Sequence, residues 1–271
     1  MADTIADVVA ILARAARLNP PALSPWEIAA LPVSSPTCVF VDGWFSQGGQ
    51  DHLVFVFQRH VTTIERTQKP VISAFSYAGE RQSYTYMDTN RDVEAHISTM
   101  LSFLEKASEN TIIAGYSLGG AVVLLTLDRL LRQVGAERLR ATFPLIILLH
   151  PAIGGAEQLA DYMREHGEVL FGEIPQIVET LGYADTYYPQ TATRSIARLL
   201  DAGIAVNVFH CPHDTLVPYP TANDRRLWQQ PFSIRPAEPL REHIRLHGFP
   251  EAHDLLYYLA KPLITWQPTT P

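Results

Sequence analysis

The chain has 271 residues, of which 47% are hydrophobic, enough to bury the core of one undivided globular domain. Its 21 Lys and Arg residues against 28 Asp and Glu residues give a net charge of −7, with no basic cluster that could follow a phosphate backbone. This composition argues against nucleic acid as a partner, and the lack of an apolar run of about 18 residues argues against stable insertion in a membrane.

The beginning of the chain predicts an amphipathic surface helix over residues 5–18. Its start is acidic and Arg14 and Arg17 interrupt it, whereas a secretory signal places basic residues before an uncharged apolar run. Cys38 and Cys211 both lie in apolar strand-like runs, which is typical of buried thiols in a reducing compartment. These features predict a cytoplasmic protein.

Strand-like and helix-like segments alternate along most of the chain. Strands are predicted at residues 37–41, 71–76, 111–114, 145–149, 205–209 and 242–246. One helix is predicted to begin near Asp51, and a second is predicted to cover residues 92–106. A third helix is predicted to begin just after residue 117 and to end at about Gln133. Residues 53–57 would also suit a strand, but the length and polar second half of that segment favour a helix. The alternation predicts an α/β fold with a mainly parallel sheet of about six strands flanked by helices.

Residues 156–201 do not follow this alternation. They contain several helix-like pieces, rich in apolar and aromatic side chains, between two predicted strands. Such an insertion is often a lid over an apolar pocket, and the alternative is that its side chains only attach it to the main core. We expect residues 1–155 and 202–271 to form the core domain and residues 156–201 to form a helical cap.

The most informative motif is the pentapeptide Gly115-Tyr116-Ser117-Leu118-Gly119, which matches G-x-S-x-G. A strand-like run precedes it and an apolar helix follows it, as a nucleophile elbow requires. The central residue of such a turn is held in a strained backbone conformation, and glycines two residues before and after it prevent collisions. Ser117 is therefore the predicted nucleophile, and the N–H groups at the start of the helix favour an oxyanion beside it.

A serine nucleophile needs a base, because its free hydroxyl is too weak a nucleophile at neutral pH. His253 lies in a loop after the last predicted strand, where it can reach over the C-terminal edge of the sheet toward Ser117. His247, which ends that strand, is the second choice for the base. Four other histidines fall on predicted helices away from this edge and are interpreted as surface or internally bonded residues: His52, His60, His96 and His166.

Asp214 is the predicted acid that holds the histidine in one tautomer. It follows the strand at residues 205–209, so its carboxylate lies just beyond a C-terminal strand end, and the order Ser117, Asp214, His253 is the one expected with this elbow. Residues 210–214 also contain two histidines and a cysteine. A zinc site is the weaker interpretation, because zinc usually takes ligand pairs from two segments and the sequence has no second pair.

These motifs resemble the α/β-hydrolase superfamily, in particular its serine esterases, lipases and thioesterases, over residues 37–259. The resemblance implies a Ser-His-Asp acyl-transfer mechanism without a metal or an organic cofactor. The chain departs from many relatives at Asp42-Gly43-Trp44, where they have His-Gly before the residue that donates an oxyanion N–H. A backbone N–H does not depend on its side chain, so Trp44 or Phe45 can still donate, with Trp44 and Leu118 the predicted oxyanion pair.

The sequence thus predicts a serine hydrolase that cleaves a carboxylic ester or thioester through an acyl-enzyme intermediate. Phe45, Tyr116 and the cap are predicted to surround an apolar acyl group. Two alternatives stay open. One is an acyltransferase, thioesterase or cyclase that acts on a chain bound to a carrier protein, and the other is a non-catalytic binding protein of the same fold.

Overall fold

The computed structural model of the protein describes residues 37–44, 71–75, 77, 86–149, 151–210, 217 and 235–236. These residues contain the strands β1 (Thr37–Val41), β2 (Val71–Ala74), β3 (Thr111–Tyr116), β4 (Leu145–Leu149), β5 (Ala205–His210) and β6 (Arg235–Pro236). The six strands form one sheet in the order β2-β1-β3-β4-β5-β6, and every neighbouring pair is parallel. The predicted parallel sheet of an α/β fold is confirmed.

The strands agree with the sequence prediction except at their ends. β1 and β4 have the predicted bounds, whereas β3 continues two residues further, up to the residue before Ser117. β2 ends two residues early, and the two-residue β6 is an addition to the predicted strands. The strand predicted at residues 242–246 lies outside the described residues, as do the helices predicted at residues 5–18 and near Asp51.

The described helices are α1 (Val93–Leu104), α2 (Leu118–Val134), α3 (Ala136–Thr142), α4 (Glu157–Phe171), α5 (Gln176–Leu181) and α6 (Tyr187–Asp201), with a 3-10 helix at Tyr86–Asn90 before α1. α1 begins where its sequence provides a cap, because the Asp92 carboxylate accepts a hydrogen bond from the Ala95 N–H at 2.9 Å. α2 begins directly after Ser117, and its first eleven residues are all buried.

α2 lies between α1 and α6, and polar side chains join the three helices. The Asp128 carboxylate, 1% exposed, binds Arg132 of the same helix and Arg198 of α6. Glu94 of α1 accepts two hydrogen bonds from Arg129 of α2, both at 2.9 Å. The bonds to the buried Asp128 are the stronger of these contacts, whereas Arg129 and Glu94 are partly exposed, and both sets add to the packing of α1 and α6 against α2.

Residues 156–201, the predicted cap, contain α4, α5 and α6. α6 packs against α2 and leads into β5, while α5 contacts α1, α6 and the 3-10 helix. The Ala156 N–H donates to the Gly182 carbonyl oxygen at 2.7 Å, so the chain enters α4 and leaves α5 at nearly the same place. The division of the chain into a core and a cap at residues 156 and 201 stays a prediction.

Among the described residues, no helix is both long enough and apolar enough to cross a membrane.

Candidate active site

The C-terminal ends of β1, β3 and β4 meet at one edge of the sheet. Val41 of β1 pairs with Gly115 of β3, and Tyr116 of β3 pairs with Leu149 of β4, so the segments that follow these three strands are neighbours. In open parallel sheets, ligands bind beyond the C-terminal ends of the strands, at the point where the connections from two neighbouring strands run to opposite faces of the sheet. The edge around Ser117 is therefore the candidate site.

Ser117 occupies the sharp turn between β3 and α2 in a strained backbone conformation. Its φ is 51° and its ψ is −119°, a region that side-chain-bearing residues rarely occupy. Among the described non-glycine residues, Asn110 is the other one with a positive φ. Strain of this kind costs on the order of 1–3 kcal/mol and persists where the surrounding structure enforces it, commonly at functional sites.

Gly115 and Gly119 allow β3, α2 and β1 to approach closely at the turn. A β-carbon on Gly115 would lie 2.8 Å from the Gly120 Cα atom, which is closer than real β-carbons come. A β-carbon on Gly119 would collide with the carbonyl oxygens of Val41 and Asp42. Both glycines of the G-x-S-x-G motif are thus required by backbone contacts, as the sequence predicted for an elbow.

Two backbone hydrogen bonds hold the Ser117 turn. The Ser117 carbonyl oxygen accepts from the Gly120 N–H at 3.1 Å and from the Ala152 N–H at 2.9 Å. The first bond ties the turn to α2 and the second ties it to the segment after β4. Within the described first turn of α2, the Ser117 hydroxyl caps none of the N–H groups, although serine commonly does so at the start of a helix. The Ser117 hydroxyl is thus not used to cap α2.

The segment after β1 lies against this turn. A β-carbon on Gly43 would be 3.1 Å from the Ser117 Cβ atom and 3.1 Å from the Tyr116 ring. The Gly43 N–H donates to the Asp42 carboxylate at 2.6 Å, and the Tyr77 hydroxyl donates to the Asp42 carbonyl oxygen at 2.6 Å. The Gly43 N–H is thus bound by the Asp42 side chain. The backbone N–H that follows it along the chain is that of Trp44.

The Trp44 side chain is buried and its indole ring is held by a polar contact. The Trp44 Nε1–H donates to the Asn90 Oδ1 atom at 2.8 Å, and the Asn90 amide nitrogen donates to the Glu173 Oε1 atom at 3.1 Å. Asn90 ends the 3-10 helix and is 2% exposed, while Glu173 lies in the turn between α4 and α5. A chain of two hydrogen bonds therefore links the segment after β1 with residues 156–201.

His96 is fully buried next to Tyr77, the residue whose hydroxyl binds the Asp42 carbonyl oxygen. Its ring packs edge-on against Tyr77 with centroids 4.8 Å apart, and its Nε2 atom lies 3.2 Å from the Thr89 carbonyl oxygen. Its Nδ1 atom has no hydrogen-bond partner among the described residues. Burial lowers the pKa of His96 to about 4, so the ring is neutral at pH 7 and donates from Nε2 to Thr89. This histidine is internally bonded, as the sequence predicted.

The structure brings some of the predicted site residues together. Leu118, the first residue of α2, follows Ser117 directly, and Gly43, the residue before Trp44, lies against the Ser117 β-carbon. The predicted catalytic roles of Ser117, Leu118 and Trp44 stay predictions. Tyr116 is fully buried with its ring against Gly43, and its predicted role in substrate binding stays a prediction. Four predicted or alternative site residues lie outside the described residues, and their roles stay predictions as well: Phe45, Asp214, His247 and His253.

β5 leads toward the predicted acid. It ends at His210, at the same edge of the sheet as β3 and one strand beyond β4, and Asp214 follows four residues later in the sequence. In the part of the chain that the structure describes, no cluster of His, Cys, Asp and Glu side chains could hold a metal ion.

Sequence analysis missed Asn90, Tyr77 and Glu173. Their hydrogen bonds join residues that are 46, 35 and 83 positions apart, and no motif marks such pairs. A signal was nevertheless present for the place of Asn90 in the chain, because it lies two residues before Asp92, which caps the start of α1. That signal gives its position and not its partner.

Comparison with solved structures finds similar chains among hydrolases. A protein from Agrobacterium vitis S4, described as a hydrolase, has a TM-score of 0.55 at 15% identity, over 89% of this chain and 90% of that one. The alpha/beta hydrolase domain-containing protein 10 from mouse has a TM-score of 0.51 at 17% identity, over 86% of this chain and 91% of that one. No model of a known protein family matches the chain, and no curated protein sequence matches it significantly. The likeness extends over most of both chains, so it concerns the whole fold.

Proposed function

The chain has the α/β-hydrolase fold, and from that premise we propose that it is a serine hydrolase acting on carboxylic esters or thioesters. One observation carries the proposal: Ser117 has the strained backbone of a nucleophile elbow, between β3 and α2. Fold alone does not define a reaction, so the proposal depends on this residue and its surroundings.

In the proposed reaction His253 accepts the proton of the Ser117 hydroxyl as the serine oxygen attacks the carbonyl carbon. The tetrahedral intermediate then collapses, and the alcohol or thiol leaves with the proton from His253. Water attacks the acyl-enzyme in the same way, which releases a carboxylic acid and restores Ser117. Asp214 stays ionised throughout and stabilises the imidazolium.

The backbone N–H groups of Leu118 and Trp44 are proposed to bind the oxyanion. Leu118 lies at the N-terminus of α2, where the helix dipole favours negative charge. Gly43 lies against the Ser117 β-carbon, and its own N–H is bound by Asp42, which supports the following N–H as the donor. Loss of one such donor typically reduces kcat by about 10²- to 10³-fold.

Labelling with a fluorophosphonate tests the nucleophile. The wild-type protein should gain one covalent phosphonyl group, and Ser117→Ala should gain none. Ser102→Ala, which changes an exposed serine on α1, is the matched control and should be labelled like the wild type. Labelling of Ser117→Ala would assign the nucleophile to another residue.

Kinetics test the base. Ser117→Ala and His253→Ala should each reduce kcat by on the order of 10⁶-fold, and the double variant should lose little more, because the residues act as one unit. His247→Ala should retain activity. Additive losses would argue against the shared mechanism, and loss only with His247→Ala would move the base to that residue.

Product analysis distinguishes hydrolysis from acyl transfer. Incubation with simple esters and acyl-thioesters should release the free acid, identified by its mass. A product in which the acyl group is attached to a second alcohol, thiol or amine would instead indicate an acyltransferase or cyclase.

A further inference from the structure

We propose that Asn90 is a positioning residue that holds the Trp44 main chain as an oxyanion donor and couples it to the turn between α4 and α5. This inference rests on the proposed function. Asn90 does not contact the substrate in this scheme. It acts through the Trp44 side chain on the position of the Trp44 N–H.

The segment after β1 is restrained by the Trp44 side chain. Gly43 precedes Trp44 and has no side chain, so it restrains the backbone less than any other residue would. The Trp44 side chain supplies the restraint, since it is 9% exposed and its far end is bound to the Asn90 Oδ1 atom at 2.8 Å. A buried indole ring that is also bound at its far end can adopt few side-chain torsions, so it restrains the position of the Trp44 Cα atom and of the attached N–H.

The Asn90 amide has one orientation that satisfies both of its hydrogen-bond partners. An asparagine amide can present its oxygen or its nitrogen in either direction, and only the oxygen can accept from the indole N–H. The exposed Glu173 carboxylate accepts from the Asn90 amide nitrogen at 3.1 Å, and this bond adds to the preference that the buried indole N–H imposes for the orientation with the oxygen toward Trp44. The reverse orientation would place two donors face to face at Trp44 and two acceptors face to face at Glu173.

Glu173 connects the Asn90 amide to residues 156–201. It lies in the turn between α4 and α5, and α5 packs against the 3-10 helix that ends with Asn90. Residues 156–201 therefore contribute one hydrogen bond to the arrangement of the proposed oxyanion site. A substrate that shifts this turn would alter the Trp44 N–H without touching it.

Two single substitutions test the coupling from opposite sides. Trp44→Phe keeps an aromatic ring and the backbone N–H but removes the indole donor, and Asn90→Ala removes the acceptor. Each should lower kcat by about 10- to 100-fold with KM nearly unchanged, less than the loss of a whole oxyanion donor. The double variant should lose clearly less than the two single losses multiplied together, because both changes break the Trp44–Asn90 hydrogen bond.

A rescue experiment tests the amide orientation. Asn90→Asp keeps an acceptor for Trp44 but faces the Glu173 carboxylate with a second carboxylate, and it should lose activity. Combined with Glu173→Gln, it regains a donor and an acceptor in matching places, and most of the lost kcat should return. Glu168→Gln, an exposed glutamate on α4, is the matched control and should behave like the wild type.

Binding of a trifluoromethyl ketone separates positioning from a general loss of structure. Its adduct with Ser117 places an oxyanion at the same N–H groups, so its Ki should rise in proportion to the fall of kcat/KM across the variants. Rates are expressed per site titrated with fluorophosphonate, which removes any unfolded fraction from the comparison.

Unchanged kcat per titrated site in Trp44→Phe and Asn90→Ala, or additive losses in their double variant, would overturn the role of Asn90 and leave the proposed function intact. Failure of the wild-type protein to react with the phosphonate and with any ester or thioester would overturn the proposed function, and this inference with it.

Discussion

At the scale of single residues, the strain at Ser117 has an expected cost in stability. Glycine adopts the Ser117 backbone conformation far more easily than serine or alanine does. The free energy of unfolding of Ser117→Gly should therefore exceed that of Ser117→Ala by about 1 kcal/mol, although both variants lack the serine hydroxyl. Urea unfolding of the two variants measures the difference, and a lower value for Ser117→Gly would mean that the turn is not strained.

His96 should make stability depend on pH. Burial holds the pKa of His96 at about 4 in the folded protein, against 6.5 in the unfolded chain. Between these pH values the unfolded state binds more protons, so the free energy of unfolding should fall as the pH falls from 6.5 and level off below about 4. At about 1.4 kcal/mol per pH unit, the loss from this residue is on the order of 3 kcal/mol.

Urea unfolding at about pH 7 and about pH 4.5 checks this dependence against His96→Gln. The variant keeps a donor for the Thr89 carbonyl oxygen but cannot be protonated, so its stability should fall less between the two conditions. Equal falls in the two proteins would show that other groups cause the pH dependence.

Single residues of the candidate site differ in how far the sequence predicts their structure. The strained turn at Ser117 was predictable because an elbow needs fixed residue types at fixed local spacing. The Trp44–Asn90–Glu173 chain was not, because it depends on where the 3-10 helix and the turn after α4 lie in space. A local sequence pattern predicts the backbone geometry of a turn. Side-chain contacts between distant segments can be known only once the packing of those segments is known.

At the scale of helices and strands, the Asp128 cluster was half predictable. Asp128 and Arg132 are four residues apart, the spacing of neighbours on one helix, but the sequence does not indicate that Arg198 of α6 reaches the same carboxylate. The ends of the strands were also predictable only in part. β4 has its predicted bounds because Pro144 precedes its apolar run, whereas β3 extends beyond its apolar run into Gly115 and Tyr116, where the elbow geometry sets its end.

The two arginines at Asp128 should stabilise the protein in a non-additive way. Arg132→Met or Arg198→Met leaves one partner for the buried carboxylate, so each should cost about 1 kcal/mol. Both together leave a buried charge unpaired and should cost on the order of 3–5 kcal/mol, more than the two single losses combined. Urea unfolding measures these values.

Arg138→Met, on the exposed side of α3, is the control and should change stability by less than about 0.5 kcal/mol. Adding Asp128→Leu to the double variant removes the unpaired charge and should restore part of the loss. If the losses from the two arginine substitutions were simply additive, the charge of the Asp128 carboxylate would be stabilised by water and not by the two arginines.

At the scale of the whole molecule, the predicted apolar acyl pocket should appear in substrate preference. Burial of each methylene group contributes about 0.8 kcal/mol, so kcat/KM should rise about three- to fourfold per added acyl carbon and then stop rising abruptly once the pocket is full. A series of esters with one alcohol and increasing acyl length measures the slope. A flat series would contradict an apolar acyl pocket.

Deletion of residues 157–181 tests whether α4 and α5 form that pocket. A short glycine linker can join residues 156 and 182, because the Ala156 N–H and the Gly182 carbonyl oxygen are already 2.7 Å apart. α6 is kept, since Ile196 and Leu199 are buried in the core. If the fold survives, the chain-length slope should flatten while Ser117 still reacts with a small phosphonate, apart from the loss expected from removing Glu173. An unchanged slope would assign specificity to the Trp44–Phe45 segment instead.

The contact between Ala156 and Gly182 also affects how such a protein can diverge. A segment whose two ends touch is a loop that closes on itself, so its length can change without moving the residues on either side. Insertions and deletions between these two points would reach the rest of the molecule mainly through Glu173, the face of α5 and the buried Ala160 and Met163 of α4. Substrate range could therefore drift quickly in a lineage of such chains, while the elbow that holds Ser117 stays under a separate and stricter constraint.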